Sequence, residues 1–292
     1  MNPRQHQTLC WFALAYFLAL LPAVLGAEEI AAPRDKSIYH LWRPTPSELL
    51  RELATDRPDQ TESPFTVDAG HFQLEMDLLN ATFDDRTGIR TREYLLAPVN
   101  LKVGVLNNVD LQVLLDSYVH SRIETRRTQR TEKASGLGDL VTRVKINFWG
   151  NDGGPTALGL MPFVKWPLPE SSLRNGRTEG GVIFPLAMEL PAGWGMGAQT
   201  EVDCVRDDAN RAYVAQFVNS ITFGHDIVGA LAGYLEFFSS VNTEEAANWI
   251  GTADVGFTYQ LGKNVQLDCG CNFGLTSAAD DFNFFSGLSL RF

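Results

Sequence analysis

The stretch Val265-Gln266-Leu267-Asp268-Cys269-Gly270-Cys271-Asn272-Phe273-Gly274-Leu275 decides the fold. Its odd positions read Val, Leu, Cys, Cys, Phe, Leu, while its even positions carry Gln266, Asp268, Gly270, Asn272 and Gly274. Successive side chains on a strand point to opposite faces, so a period of two describes a strand with one greasy and one polar side. The neighbouring segments repeat the pattern. Trp249, Gly251, Ala253, Val255, Phe257, Tyr259 and Leu261 alternate with Thr252, Asp254, Gly256, Thr258 and Gln260. Phe282, Phe284, Ser286, Leu288, Leu290 and Phe292 alternate with Asn283, Phe285, Gly287, Ser289 and Arg291.

Nine further segments read the same way, near 67–83, 90–105, 109–120, 138–149, 156–166, 181–190, 194–206, 212–223 and 227–238. A tilted strand needs roughly 9–11 residues to cross a bilayer, whereas strands of soluble proteins average roughly 5–6. These segments are long enough to cross. The pattern predicts an all-β fold, a transmembrane up-and-down antiparallel β-barrel of about 12 strands with a short irregular N-terminal segment. Tight turn signals at Asn107-Asn108, 151–155, 191–193, 224–226 and 262–264 alternate with longer connections at 84–89, 121–137, 167–180, 207–211, 239–248 and 276–281. Short turns on one side and longer loops on the other are the habit of outer-membrane barrels, and an even strand count puts both barrel ends on the short-turn side, the periplasm. Pro98, Pro162 and Pro185 interrupt this reading, because a closed barrel offers no free edge to a residue without an N–H; they mark bulges or local breaks.

The start of the chain reads as an address. Arg4, an apolar run from Leu9 to Leu21, Pro22, and small residues at Val24 and Gly26 describe a cleaved signal peptide over residues 1–27. Its 13-residue core is too short for a transmembrane helix. Residues 28–64 are rich in proline and turn formers, with one helical candidate at Pro46–Leu53. This segment is either a periplasmic tail or a partial plug of the barrel mouth, and the barrel proper occupies 65–292.

Composition narrows the function. With 45% hydrophobic residues the chain is not disordered, and a formal net charge of −11 argues against nucleic acid as a partner. Cys10, Cys204, Cys269 and Cys271 match no zinc spacing, so no metal or cofactor is expected. Cys269 and Cys271 share a strand face and read as small apolar residues.

The last six residues, Gly287-Leu288-Ser289-Leu290-Arg291-Phe292, form an alternating strand ending on an aromatic, which resembles the signal that the outer-membrane assembly machinery reads on its clients. Thr55-Asp56-Arg57-Pro58-Asp59-Gln60-Thr61-Glu62-Ser63-Pro64-Phe65-Thr66-Val67, followed by Gly70-His71-Phe72-Gln73-Leu74-Glu75, is similar to a family of outer-membrane β-barrel transporters linked to the meta-pathway of phenol degradation. The resemblance is sharp over this motif and diffuse over the rest. It implies a barrel and suggests a channel, and it supplies no site residues.

If the apolar parity meets lipid, the polar parity lines a lumen. The candidate pore-lining residues are Glu75, Asp77, Asp110, Asp116, Glu189, Glu201, Asp203, Glu236, Asp254 and Asp268 against Lys102, Arg143, Lys145, Lys165 and Arg291. Such charges either pair across the barrel and brace it or disfavour anionic solutes. Leu114, Tyr118, Phe163, Tyr234 and Phe285 are apolar inward candidates. Twelve strands spaced ~4.8 Å apart and tilted enclose a backbone diameter of roughly 24 Å. The reading that fits best is an outer-membrane channel of a Gram-negative cell passing small, aromatic or hydrophobic solutes, without enzymatic activity. A structural or adhesive barrel acting through the basic 121–137 loop is the alternative. A hydrolase is the weakest, since His40, His71, His120 and His225 show no spacing that pairs one with a nucleophilic serine. The sequence leaves the oligomeric state open.

Overall fold

The computed structural model describes residues 35–86, 88–167, 176–207, 210–244 and 247–292. The expected leader over 1–27 lies outside the described residues. Among the described residues, fifteen strands form one antiparallel sheet: β1 (Phe72–Arg86), β2 (Ile89–Leu96), β3 (Val99–Leu106), β4 (Val109–Leu115), β5 (Tyr118–Thr125), β6 (Arg130–Gly136), β7 (Leu140–Trp149), β8 (Thr156–Trp166), β9 (Glu179–Glu189), β10 (Trp194–Asp207), β11 (Ala212–Val228), β12 (Leu231–Asn242), β13 (Ile250–Gly262), β14 (Val265–Gly274) and β15 (Phe282–Arg291). The sheet closes because β15 pairs with β1 from Gln73 opposite Arg291 to Phe83 opposite Phe282. Phe72 and Phe292 exchange both backbone hydrogen bonds at 2.9 Å, sealing the seam. The pairs β2/β3, β4/β5 and β6/β7 are each one stave broken in the middle, so the wall is a closed antiparallel barrel of twelve staves.

The breaks stand side by side. β1 shifts register between Asp77 and Leu79, the next stave breaks at Ala97-Pro98, the third at Asp116-Ser117 and the fourth at 137–139. Ala97 takes a positive φ of 50°, and Pro98 has no N–H to offer the ladder. Because the side-chain period is two, each interruption exchanges the inner and outer faces beyond it. On β4, Asp110 and Gln112 are buried; on β5 the buried residues are Val119 and Ser121. Tyr118, expected inside, is therefore exposed on the outer face. Pro162 and Pro185 remain within β8 and β9, and the pairing of β8 with each neighbour is interrupted at their level.

Several boundaries differ from the sequence pattern, for physical reasons. The first strand starts at Phe72 rather than near 67, because residues 65–68 give their backbone groups to side chains of the barrel interior. Gly224–Asp226 lies inside β11 and the turn comes at Gly229-Ala230. The 84–89 connection is largely taken up by β1, which runs to Arg86, and by β2, which starts at Ile89; the basic 121–137 loop is the β5–β6 hairpin, with Arg122, Arg130 and Lys133 on its strands and Arg126 and Arg127 in its turn. The helical candidate reduces to one 3-10 turn at Ser47–Leu49 without a side-chain cap; the chain turns extended at Leu50, and the Arg51 N–H goes to Asp68 instead.

The barrel is inside out relative to a water-soluble protein. Lys102 and Lys145 are 2% and 1% exposed, whereas Leu235 is 60% and Leu261 57% exposed. Lysine is almost never fully buried unless paired, and an apolar band covering the outer wall is stable only against hydrocarbon. Trp149, Trp194 and Tyr259 sit toward the short-turn rim and Trp166 and Trp249 toward the other, as aromatic girdles require. Leu235→Arg tests this directly. Placed on the outer face amid Phe223 and Val255, its cross-strand neighbours, the arginine is expected to cost roughly 2–4 kcal/mol in urea unfolding from lipid vesicles. A neutral outcome would mean that water, not lipid, meets this face.

Candidate functional site

The polar parity converges on the segment that precedes the first strand. Residues 51–68 run inside the barrel, and their backbone N–H groups end largely on interior side chains. Gln60 N donates to Glu236 at 2.8 Å, Glu62 N to Gln199 at 2.6 Å, Thr66 N to Asn151 at 3.0 Å and Val67 N to Asp110 at 3.0 Å. Asn147 donates to the Pro64 carbonyl and Gln73 to that of Ala54. An extended segment with no strand beside it must satisfy its backbone this way or leave buried polar groups unpaired.

Charge decides the orientation of the segment. One side of the interior is basic, from Lys102 on β3 and Arg143 and Lys145 on β7. It meets Asp56, which lies 2.5 Å from both ammonium groups, and Glu62, 2.5 Å from Arg143. Lys102 also pairs with Glu75. The opposite side is acidic, from Glu236 on β12, Asp254 on β13 and Asp268 on β14. It meets Arg57, which pairs with Asp268 at 2.7 Å and with Asp77 on β1. Gln60 reaches Asp254 at 2.8 Å and the Thr61 hydroxyl reaches Glu236 at 2.5 Å. Acid to base and base to acid, the segment is the complement of the wall.

A second clamp closes the short-turn rim. Arg51 holds Asp152 at 2.9 Å and the Thr66 and Asn107 carbonyls, Lys36 holds Asp152 at 2.8 Å, and Arg291 reaches the Arg51 carbonyl at 2.8 Å. Burial raises the Asp152 carboxyl, but the bonds from Lys36 and Asn107 and the charge of Arg51 outweigh it and bring the group down to about 2.

Of the pore-lining candidates, Glu75, Asp77, Lys102, Asp110, Lys145, Asp203, Glu236, Asp254, Asp268 and Arg291 are buried, and Arg143 and Glu201 are largely so. Lys165 sits at the far rim, 2.8 Å from Asp139 and 3.1 Å from Glu179. Glu189 is exposed beside the short-turn rim, and Asp116 occupies the break in its stave, taking the Asp139 N–H. Sequence reasoning passed over Asp56, Arg57, Gln60 and Glu62 as site residues. The available signal was the motif Thr55–Pro64, whose polar side chains make these contacts.

Beneath the segment, toward the short turns, lies a cavity of about 540 Å³. Pro58, Pro64 and Phe65 roof it; Ala157, Ala187, Met188, Met196, Gly197, Gly233 and Tyr234 are among the residues of its wall. A Cβ on Gly197 would come within 3.3 Å of the Thr61 side chain, so the barrel approaches the segment closely there. His71 bonds the Thr45 carbonyl and His225 the Ala192 carbonyl.

Residues 55–292 match the family described as "Putative MetA-pathway of phenol degradation". The chain belongs to this family. Among solved structures, an outer membrane channel from Pseudomonas putida F1 superposes with a TM-score of 0.59 at 11% identity, covering 82% of this chain and 100% of that one. The transport unit of the autotransporter AIDA-I from Escherichia coli superposes at 0.46 with 10% identity, over 82% of this chain and 92% of that one. No curated protein matches the chain. The family match starts at Thr55, so it takes in most of the interior segment together with the wall.

Two predictions follow from the charge arrangement of this family member. Lys102→Met leaves Asp56 and Glu75 facing each other without one of their cations, and the barrel is expected to lose about 3–5 kcal/mol in urea titration. A loss under 1 kcal/mol would mean that water compensates these carboxylates. The second concerns Asp59. Burial, reinforced by Asp56 and Glu62 and opposed by a Thr222 hydrogen bond, pushes its carboxyl up to about 7 from the ordinary 3.8. The docked segment thus prefers Asp59 protonated. The contribution of Asp59 to docking is fully present below about 3.8 and is lost as pH rises to about 7, where the full cost of its buried charge is reached. Hydrogen exchange of residues 55–64 should accelerate over that window in the wild type, beyond the intrinsic pH trend, and accelerate less in Asp59→Asn.

Proposed function

We propose that this protein is an outer-membrane channel for small apolar or aromatic solutes, with residues 28–64 acting as a plug that governs passage. In this reading residues 1–27 are a cleaved leader, the outer-membrane assembly machinery recognises the strand ending at Phe292, and the short-turn rim faces the periplasm of a Gram-negative cell. The barrel carries solute rather than transforming it. The observation that carries the proposal is the cavity between the interior segment and the wall. Its volume of about 540 Å³ lies in the range of small-molecule sites, and its wall is built largely of alanine, glycine and methionine, with Arg57, Asp59 and Glu62 contributed by the segment. Family membership and the likeness to a solved channel support the same reading.

A solute that uses the cavity must pass the segment, so the segment has to shift. The segment is held mainly by ion pairs and hydrogen bonds, which exchange for water when it moves. A greasy solute gains by leaving water for the cavity lining, at about 25 cal/mol per Å² of apolar surface removed. Charged solutes would instead meet the fixed charges of the upper lumen.

The decisive experiment pins the segment. Thr61 and Ser220 hydroxyls lie 2.6 Å apart. A Thr61→Cys/Ser220→Cys pair, oxidised, should lower liposome swelling by small aromatic solutes to the level of empty vesicles, and reductant should restore it. Swelling unchanged by the cross-link would dismiss the segment as a gate. Absence of swelling in the reduced and wild-type proteins alike would remove the channel itself.

A further inference from the structure

The outer face of the barrel carries a row of like charges that its own packing does not explain. Arg92 on β2 stands directly opposite Arg122 on β5, and Arg122 directly opposite Lys133 on β6. Cross-strand neighbours lie about 4.5–5.5 Å apart at Cβ, and like charges so placed repel. Glu124 pairs with Arg122 at 2.5 Å, yet the Arg122 Nε has no hydrogen-bond partner among the described residues. Arg92 and Lys133 form no ion pair with any described residue. Arg90 lies two residues from Arg92 on the same face and is held with Arg126 by a single carboxylate, Asp85. Five cations therefore share two carboxylates.

The position of this row identifies what it meets. Phe83 on β1 is the cross-strand neighbour of Arg92 on its other side. Phe83 stacks on Phe282 at 6.3 Å and meets Tyr94 edge-on at 6.1 Å, and Phe282 packs against Phe273 at 5.4 Å. These rings belong to the outward parity, at the rim far from the short turns, where aromatic side chains mark the boundary between acyl chains and headgroups. The cations continue that line around the barrel onto the β2–β5–β6 extension, whose outer strand β6 has no second strand partner among the described residues. A row with rings on one flank, guanidinium forks at its centre and an uncovered edge fits an amphiphile whose headgroup bears phosphates. Arginine binds phosphate in bidentate fashion, and three adjacent cations suit more than one phosphate.

We infer that Arg92, Arg122 and Lys133 form a docking site for a phosphorylated glycolipid of the outer leaflet, with the acyl chains lying along Phe83 and Phe282. The site rests on the outer-membrane reading above and is separate from the lumen. It lies on the lipid side of the wall, and its occupancy does not require solute flux.

The test uses the mature chain purified in detergent, with phosphorylated lipid A, dephosphorylated lipid A, phosphatidylglycerol and inorganic phosphate as probes, read by binding and by the unfolding temperature. Phosphorylated lipid A is expected to bind and to raise the unfolding temperature, while the other three leave it unchanged. The variant Arg92→Gln/Arg122→Gln/Lys133→Gln, with folding checked by heat-modifiable gel mobility, should bind lipid A about a hundredfold more weakly, from roughly 1 kcal/mol per cation. Equal binding by that variant, or by dephosphorylated lipid A, overturns the site. A response to phosphatidylglycerol or inorganic phosphate equal to that of lipid A overturns the glycolipid as its occupant. Should the triple variant fail to fold, the comparison of the two lipid A forms on the wild type decides, and Arg92→Lys/Arg122→Lys, which keeps the charge but not the fork, is expected to bind phosphorylated lipid A more weakly than the wild type and still better than its dephosphorylated form.

Discussion

The Asp56 carboxylate between the Lys102 and Lys145 ammonium groups is the interaction on which the rest of the interior depends. Burial alone would raise its carboxyl, but the two cations outweigh that and hold it well below the ordinary carboxylate range. Neither lysine can be buried without an anion, and on that side the wall sets Glu75 and Asp110 against the three cations Lys102, Arg143 and Lys145. The chain ahead of the first strand brings the missing charge. The barrel wall and the interior segment are therefore one electrostatic unit: remove the segment and Lys102 and Lys145 each lose Asp56, Arg143 loses Glu62, and Asp268, Asp254 and Glu236 lose Arg57, Gln60 and Thr61.

That division of charge follows from the alternation that makes the barrel. A strand with a lipid side must place its polar residues inward, and twelve staves place more there than a cavity of this width can leave dry. The segment fills the space and gives its backbone groups to the same side chains. On the outer face the analogous problem arises only where the staves break. Below the breaks nearly all outward positions are apolar or small, Asn219 on β11 being an exception; beyond them the faces exchange, and Arg92, Arg122 and Lys133 come outward.

The fold was legible because one face of each strand must be apolar over a full membrane crossing, a signal strong enough to survive in single segments such as Val265–Leu275. The interior list was legible for the same reason: Lys102, Lys145, Glu236, Asp254 and Asp268 follow from parity alone. The failures have one origin. A register break leaves only a weak mark in sequence, a proline or a small residue, and it inverts every position after it, which is why Tyr118 was expected inside and why the 121–137 hairpin read as a loop. The interior segment was hidden differently. It has no periodicity, since each residue answers to a different wall strand, and only the family motif over Thr55–Pro64 set it apart.

The kind of bond holding the segment matters for what the barrel can do. A plug seated by hydrophobic burial would have to expose apolar surface to water with every displacement. One seated by ion pairs exchanges them for hydration, and buried pairs are close to neutral against full solvation because desolvation offsets most of the Coulomb gain. Removing one partner of a pair is costly, since a bare charge remains buried; withdrawing the segment as a whole is less so, since water follows it in. The same chemistry thus gives a segment that fits in a single register and can still move. The cavity on its short-turn side then offers a passing solute something water does not: stretches of alanine, methionine and glycine set beside the charged groups of the segment.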